Sequence, residues 1–352
     1  LVKAIKVDCA YDEIVAKGAK VTYAPGYSTA KKNKISDDAF IAEAVEAAKG
    51  KDAVVLFIGL TEEFESEGFD RRHLGIPPLH IKLVEAVSAV NDNVIVALSG
   101  GSAVEMPWAD KVPAILNMFL TGQAGGSAVC DIIFGDVNPS GKLSETYPLA
   151  LEDNSSHNYF PGTSVSVEYR EGVYVGYKYY DTANKAVAFP FGHGLSYTTF
   201  EYSDVKVSAD KIKDTDTVTV SFKIKNTGAV DGAEVAQIYV NDVESTIYRP
   251  VKELRGFKKV FLKAGEEKEV SVELCKRAFA YYNVELGDWH VESGDFKILV
   301  GASSRDIKLE ASVYVESTVD AKVPDYSKTA PSYYGANIMN VSADEFQVIY
   351  GK

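Results

Sequence analysis

Residues 52–60 (DAVVLFIGL) form a short apolar run, and residues 64–72 (FESEGFDRR) follow it almost directly. An apolar run of this length is typical of a strand that is buried on both faces of a parallel sheet. The acidic residues behind it are then expected at the carboxyl end of the strand, where ligands of open α/β sheets bind. These two segments predict the fold class of the first part of the chain and also a candidate site.

Glu67 is the central acidic residue of this candidate site. Gly68 lets the backbone turn closely beside it, and Phe64 and Phe69 are placed to keep water away. A carboxyl group in an apolar setting has a raised pKa and can serve as a general acid. The alternative interpretation is a solvated acidic loop with no chemical role.

Asp70 and Arg71 are adjacent in the same loop. We expect them either to form a charge-assisted pair that fixes the loop or to remain exposed surface charges. An exposed pair would contribute at most about 1 kcal/mol.

Length and charge limit the possible functions. The chain has 352 residues, which predicts about two domains at roughly 150 residues each. The formal net charge of −13 argues against binding to nucleic acid or to an anionic membrane. No apolar run approaches the roughly 18–20 residues of a membrane helix. A neutral substrate such as a sugar is compatible with this charge.

The cysteines and histidines predict no metal site. Cys9, Cys130 and Cys275 form no CxxC pair and no even disulfide set, so a reducing compartment, the cytoplasm, is expected. The five histidines lie singly, without metal-binding spacing. The chain opens without a signal-peptide pattern and without an initiator Met. Either a segment precedes it or the mature chain starts there.

Up to about residue 150, helical and strand-like segments alternate. Strands are predicted at residues 21–26, 53–60, 94–98 and 114–118, and helices at 39–48, 79–90 and 127–134. Ser36 offers an N-cap for the first of these helices. Strands that alternate with helices in this way imply a parallel sheet. The glycine-rich stretches at 99–101 and 122–126 suggest a phosphate cradle or, more simply, tight turns and close packing, because neither has the GxGxxG or P-loop pattern.

The pattern changes after residue 150. Residues 151–198 are rich in Tyr and Gly and predict an interdomain linker, in which tyrosines 177, 179 and 180 either line a sugar site or anchor the linker. Residues 199–317 hold short strands with period-two alternation, which indicates an antiparallel sandwich. Residues 318–352 show little periodicity and are interpreted as an extended tail or connector.

Six of these segments, taken together and in order, resemble glycoside hydrolase family 3 in the subgroup with a fibronectin type III-like domain. The resemblance covers about residues 10–315. The matching stretches are 59–60 with 64–71 (GL and FESEGFDR), 105–108 (EMPW), 122–126 (GQAGG), 134–143 (FGDVNPSGKL), 171–180 (EGVYVGYKYY) and 189–200 (FPFGHGLSYTTF).

The resemblance implies an α/β class: a mostly parallel α/β sandwich, incomplete at its N-terminus, followed by an all-β fibronectin type III-like sandwich. It also implies a retaining β-glycosidase that uses two carboxylates. The Glu before Gly in the EGxDR motif matches the general acid/base, so this role is assigned to Glu67, with Glu65 as the rival in the same loop. Phe64, Asp70 and Arg71 are expected to support the loop or contact substrate, and Phe64 stands where relatives often have Trp.

The family's nucleophile is an Asp on a TIM-like barrel, and this chain is too short to hold such a barrel beside two other domains. We therefore expect a partner polypeptide or segment to supply the barrel, and residues 331–352 resemble a connector to it. The predicted substrate is a β-linked glucoside or oligosaccharide. The resemblance implies no cofactor, and it leaves a homo-oligomer as an open alternative. The alternatives are a β-xylosidase, a β-N-acetylglucosaminidase, or a non-catalytic carbohydrate-binding remnant.

Overall fold

A computed structural model describes residues 4–28 and 36–350. Contacts divide the chain into one unit that ends at Val137 and a second that starts at Asn138. This division lies before residue 150, where the sequence suggested the end of the first domain. The predicted domain bounds themselves stay a prediction.

The first unit is built around a parallel sheet. Its strands β1 (Val54–Gly59), β2 (Val94–Ser99) and β3 (Ala114–Phe119) lie in the order β1-β2-β3, and both pairings are parallel. The helices are α1 (Ala10–Ala16), α2 (Asp37–Ala48), α3 (Pro78–Ser88) and α4 (Gly125–Ile133), and short 3-10 turns occur at Ala109–Lys111 and Gly122–Ala124. The predicted parallel α/β arrangement is confirmed.

The helices begin where the sequence places their signals. The Ser36 hydroxyl accepts a hydrogen bond from the Ala39 N–H at 3.3 Å, which caps α2 as predicted.

Two elements of the first unit differ from the prediction. Helix α1 was not predicted, and residues 21–26 are irregular instead of a strand. Among the described residues β1 is an edge strand of the sheet, and residues 21–26 do not pair with it.

Glycine is required where the carboxyl ends of β1 and β2 meet. Gly59 has a φ of +156°, and a Cβ atom there would lie 1.9 Å from the Ser99 carbonyl oxygen. The next residue, Leu60, donates its N–H to that same oxygen at 2.9 Å. A side chain at position 59 would therefore displace the backbone from which the candidate loop departs.

The glycines at residues 122–126 also serve packing. A Cβ atom on Gly126 would lie 2.5 Å from the Asp8 carbonyl oxygen, so the first turn of α4 needs glycine to approach the segment before α1. Close packing, the simpler of the two sequence interpretations, accounts for this glycine.

The second unit is dominated by antiparallel strands. Strands β4 (Tyr147–Pro148) and β5 (Val187–Phe189) pair with each other, and helix α5 (Tyr177–Thr182) lies between them in sequence. The later strands are β6 (Phe200–Val207), β7 (Lys211–Lys213), β8 (Val218–Asn226), β9 (Gly232–Asp242), β10 (Glu253–Leu262), β11 (Glu267–Leu274), β12 (Tyr281–Asn283), β13 (Asp288–His290), β14 (Gly294–Gly301) and β15 (Ile307–Glu316). Helix α6 (Lys276–Phe279) precedes β12, and helix α7 (Ala343–Tyr350) follows β15.

Two of the sheets form a sandwich. One has the order β10-β9-β14-β15-β7 and the other the order β11-β8-β6, and their inner faces share one apolar core. Strand β8 shows why the sequence predicts this: Val218, Val220, Phe222 and Ile224 alternate with more exposed residues and are buried. The predicted antiparallel sandwich is confirmed.

The segment after β15 is not an extended tail. Tyr333, Ile338 and Val341 are buried with Tyr174, Tyr179 and Tyr180 in one group, called here the tyrosine cluster. Residues 343–350 form α7. The extended tail was the wrong one of the two interpretations, because the packing partners lie about 160 residues apart and leave no local periodicity. The role of connector to a barrel stays a prediction. Of the two roles suggested for the tyrosines at 179 and 180, anchoring is the one observed.

His80 is a buried, neutral residue of the first unit. It lies in α3, its ring centroid is 4.0 Å from that of Tyr27, and its Nδ1 accepts from the Gly59 N–H at 3.4 Å. Burial lowers the pKa of His80 to about 4, against a usual value of 6.5.

This lowered pKa predicts a loss of stability in mild acid. The unfolded chain takes up a proton on His80 below about pH 6.5, whereas the folded chain does so only near pH 4, so stability falls as the pH drops through that window. From pH 7 to pH 5 the loss from this residue is about 2 kcal/mol. Urea unfolding of the wild type and His80→Gln at both pH values measures it.

The variant is expected to show a flatter pH dependence than the wild type. His73→Gln is the matched control, because His73 is exposed and should leave the profile unchanged. Equal slopes for wild type and His80→Gln would contradict the assignment.

Candidate functional site

The candidate site lies on the loop between β1 and α3. The backbone turns as soon as β1 ends, because the N–H groups of Phe64 and Glu65 both donate to the Thr61 carbonyl oxygen, at 2.8 and 3.0 Å. The carboxyl ends of β1 and β2 are adjacent in the sheet. The loop at residues 64–72 therefore lies beside the segment that follows β2, residues 99–103.

Glu65 anchors one side of the loop to that segment. Its Oε2 accepts from the Gly101 N–H at 2.7 Å, and its Oε1 accepts from the Ser102 hydroxyl at 3.2 Å. A Cβ atom on Gly101 would lie 3.1 Å from Oε1, so glycine lets the carboxylate sit close to the backbone. Both oxygens of Glu65 are thus engaged in structural bonds.

Arg71 anchors the other side. Its Nη1 donates to the Ser102 hydroxyl oxygen at 2.8 Å and to the Ala103 carbonyl oxygen at 3.1 Å. The Ser102 hydroxyl therefore accepts from Arg71 and donates to Glu65. One small side chain after β2 joins both flanks of the loop.

Glu67 lies between these anchors. Ser66 and Phe69 form a single antiparallel bridge, so Glu67 and Gly68 occupy the turn between them. Glu67 is exposed, and its carboxylate makes no hydrogen bond or ion pair with another described residue. The structure leaves this carboxylate free on a loop that its neighbours hold in place.

The aromatic residues do not enclose Glu67. Phe69 is 49% exposed, and the Phe64 ring contacts His73, with ring centroids 6.2 Å apart. The expectation of an apolar setting for Glu67 is therefore wrong for the described residues, because the loop lies on the surface of the unit. Asp70 is also exposed, and its pairing with Arg71 stays a prediction.

Sequence reasoning missed the contribution of residues 99–103. The glycines there were interpreted as a turn, and nothing local indicates that Gly101 and Ser102 bind the side chains of the preceding loop. The available signal was their position: two loops that follow adjacent parallel strands meet at the same edge of the sheet.

The arrangement is suited to proton transfer. A carboxylate that is accessible and held in position can donate or accept a proton. Within residues 4–28 and 36–350, no group of three or more His, Cys, Asp or Glu side chains is placed to hold a metal ion. None of the described helices is long and apolar enough to cross a membrane.

Comparison with known families agrees with this fold. Residues 10–197 match the glycosyl hydrolase family 3 C-terminal domain, and residues 234–304 match the fibronectin type III-like domain. The chain therefore belongs to glycoside hydrolase family 3.

Individual relatives extend well beyond the part that matches. The chain is 52% identical over 317 residues to thermostable beta-glucosidase B of Acetivibrio thermocellus. This match covers 89% of this chain and 42% of that protein. It is 48% identical over 306 residues to an exo-alpha-(1->6)-L-arabinopyranosidase of Bifidobacterium breve, with 87% of this chain and 40% of that protein covered.

Among solved structures, the GH3 beta-glucosidase of Bifidobacterium adolescentis matches with a TM-score of 0.85 and 44% identity, over 96% of this chain and 50% of that one. The chain thus spans half or less of the length of these relatives.

The loop anchors generate a test that needs no substrate. Ser102→Ala removes the hydroxyl shared by Glu65 and Arg71, so amide exchange within residues 64–72 should accelerate by about tenfold. The unfolding free energy should fall by only about 1 kcal/mol. Hydrogen–deuterium exchange with mass spectrometry measures the first and urea unfolding the second.

Ser66→Ala is the control within the same loop. Its hydroxyl makes one long contact, accepting from the Gly68 N–H at 3.4 Å, so exchange should change little. Unchanged exchange in Ser102→Ala would show that this hydroxyl does not hold the loop.

Proposed function

We propose that this chain supplies the general acid/base, Glu67, of a retaining β-glycosidase that acts as a β-glucosidase. The observation that carries the proposal is the free carboxylate of Glu67 between two anchored residues, Glu65 and Arg71. A catalytic proton donor must be held within hydrogen-bond reach of the leaving group, and a fixed loop makes this possible.

In the first step, Glu67 protonates the glycosidic oxygen as the bond to the leaving group breaks. A second carboxylate attacks the anomeric carbon and forms a glycosyl-enzyme intermediate. In the second step, Glu67 takes a proton from the attacking water, and the sugar is released. In retaining enzymes the two carboxylates are about 5–5.5 Å apart, and we infer that the second belongs to a (β/α)₈ barrel supplied by another segment or polypeptide.

Glu67 is preferred to Glu65 because of the bonds each makes. The two oxygens of Glu65 already accept from Gly101 and Ser102, and a switch to the protonated acid would disturb both bonds. The Glu67 carboxylate carries no such bonds. Glu65 is therefore proposed as a positioning residue, together with Arg71.

Because Glu67 is exposed in this chain, the proposed barrel would have a second role, which is to exclude water from Glu67. A general acid works best when its pKa lies near the working pH, and exclusion of water raises the pKa of a carboxyl group. The residues described here leave Glu67 open to solvent. The barrel would therefore supply the apolar cover as well as the nucleophile.

The proposed sugar specificity is based on the activities for which the relatives are named. Glucosidase is preferred because relatives at 52% and 44% identity carry that name. An α-L-arabinopyranosidase is the second candidate, because two bifidobacterial relatives at 48% identity are named for that activity.

The 352-residue chain by itself is expected to lack glycosidase activity, because the described residues contain no (β/α)₈ barrel to supply the nucleophile. Release of p-nitrophenol from β-glucoside and α-L-arabinopyranoside substrates by the purified chain measures this. The full-length protein is the positive control and also decides between the two sugars. Robust turnover by the isolated chain would contradict the proposal that a barrel outside this chain supplies the nucleophile.

In the full-length enzyme, Glu67→Gln is expected to reduce kcat/KM by about 10²–10⁴-fold on substrates with poor leaving groups. An activated aryl glycoside, whose leaving group needs little protonation, should lose much less in the glycosylation step. Steady-state kinetics on cellobiose and on 2,4-dinitrophenyl β-glucoside give the two values.

Glu62→Gln is the control, because Glu62 is an exposed acid just before the loop and should leave both rates unchanged. Equal losses on both substrates in Glu67→Gln would argue against an acid role. A selective loss in Glu65→Gln would move the assignment to that residue. Binding of sugar without turnover by the full-length protein would instead support the non-catalytic alternative.

A further inference from the structure

Glu171 is a buried carboxylate without a partner in the second unit. The residue is only 7% exposed, and its Oε2 has no hydrogen-bond partner among the described residues. A buried carboxylate is normally paired or hydrogen-bonded, because removal of its charge from water is costly. Glu171 has no part in the chemistry proposed for Glu67, so the missing partner requires another explanation.

Three polar side chains near Glu171 donate hydrogen bonds to other residues. The Arg170 guanidinium bonds to the Glu168 carboxylate and donates to the Val341 carbonyl oxygen, with Nη1 at 2.7 Å from that oxygen. The Tyr333 hydroxyl donates to the Arg170 carbonyl oxygen at 2.9 Å, and the Tyr159 hydroxyl donates to a carbonyl oxygen of the segment before α7 at 2.7 Å. None of these bonds goes to the Glu171 carboxylate.

The residues just before Glu171 form an exposed apolar loop, called here the 160–169 loop. Its large apolar side chains face solvent: Val165 is 91% exposed and Tyr169 is 73% exposed, and Phe160 and Val167 are also exposed. The loop has a defined shape, because the Thr163 N–H donates to the Ser166 carbonyl oxygen at 2.8 Å and the Thr163 hydroxyl accepts from the Ser166 N–H at 3.0 Å.

We propose that Glu171 and the 160–169 loop form a docking surface for the barrel part of the longer protein, which inserts an Arg or Lys side chain towards Glu171. The apolar loop would cover a matching apolar surface, and the basic side chain would supply the missing donor. This inference rests on the proposed function only in assuming that a barrel accompanies this chain.

Charge and length favour this partner. A basic group complements Glu171, whereas a second copy of the chain carries the same net charge of −13 and is repelled. The relatives provide the additional polypeptide, since the chain covers 42% of the Acetivibrio thermocellus protein and 50% of the Bifidobacterium adolescentis chain. The 160–169 loop already has a defined shape, so its docking costs little conformational entropy, and its exposed apolar side chains suit a permanent contact within one protein.

The test compares amide exchange of residues 159–175 in the full-length protein and in the 352-residue chain. Exchange is expected to be at least about tenfold slower in the full-length protein. Glu171→Gln, which keeps the shape but removes the charge, should accelerate exchange in the full-length protein and leave it unchanged in the 352-residue chain. This difference between contexts separates docking from a role in folding, which would affect both samples.

Glu201→Gln is the matched control, because Glu201 is exposed on β6 of the same unit, and it should change neither sample. Equal exchange in the two wild-type samples would overturn the proposal. The same acceleration by Glu171→Gln in both samples would also overturn it, since an ordered water or a small cation at Glu171 would then explain the residue. Exchange needs no substrate, so the result is independent of whether Glu67 is the catalytic acid.

Discussion

The candidate site depends on one small hydrogen-bond network. The Ser102 hydroxyl accepts from Arg71 and donates to Glu65, and the Gly101 N–H completes the hold on the Glu65 carboxylate. These bonds tie the loop after β1 to the segment after β2, and the two strands themselves are held in register by the parallel sheet. Hydrogen bonds to charged groups are stronger than neutral ones, so a loop rich in acidic residues becomes a fixed support for Glu67.

This network assigns different roles to similar residues. Glu65 and Glu67 are two positions apart in one loop, yet the first has both oxygens engaged and the second has neither. The difference arises because alternate residues of a turn face different surroundings: Glu65 lies against the backbone after β2, whereas Glu67 lies in the turn between Ser66 and Phe69. The residue type is the same at both positions, so only the hydrogen-bond partners distinguish the proposed positioning residue, Glu65, from the proposed acid/base, Glu67.

The second unit illustrates the same principle on a larger scale. The sandwich core is built from strands such as β8, whose alternation can be read directly from the sequence. The tyrosine cluster is not readable in that way, since Tyr174 and Tyr179 pack with Tyr333 from a segment without periodicity. Glu171 lies beside this cluster, since its carbonyl oxygen accepts from the Tyr174 N–H at 3.0 Å, yet its Oε2 has no partner among the described residues.

The sequence by itself determined the parallel strands of the first unit, the antiparallel sandwich, the Ser36 helix cap and the position of the acidic loop. These features depend on local periodicity and on turn residues, which short stretches of chain carry in full. Only the tertiary structure decided that residues 99–103 hold the loop, that residues 21–26 form no strand, that Glu67 is exposed and that the segment after β15 is packed. Each of these depends on residues distant in sequence that become neighbours when the chain folds, and no local pattern encodes such contacts.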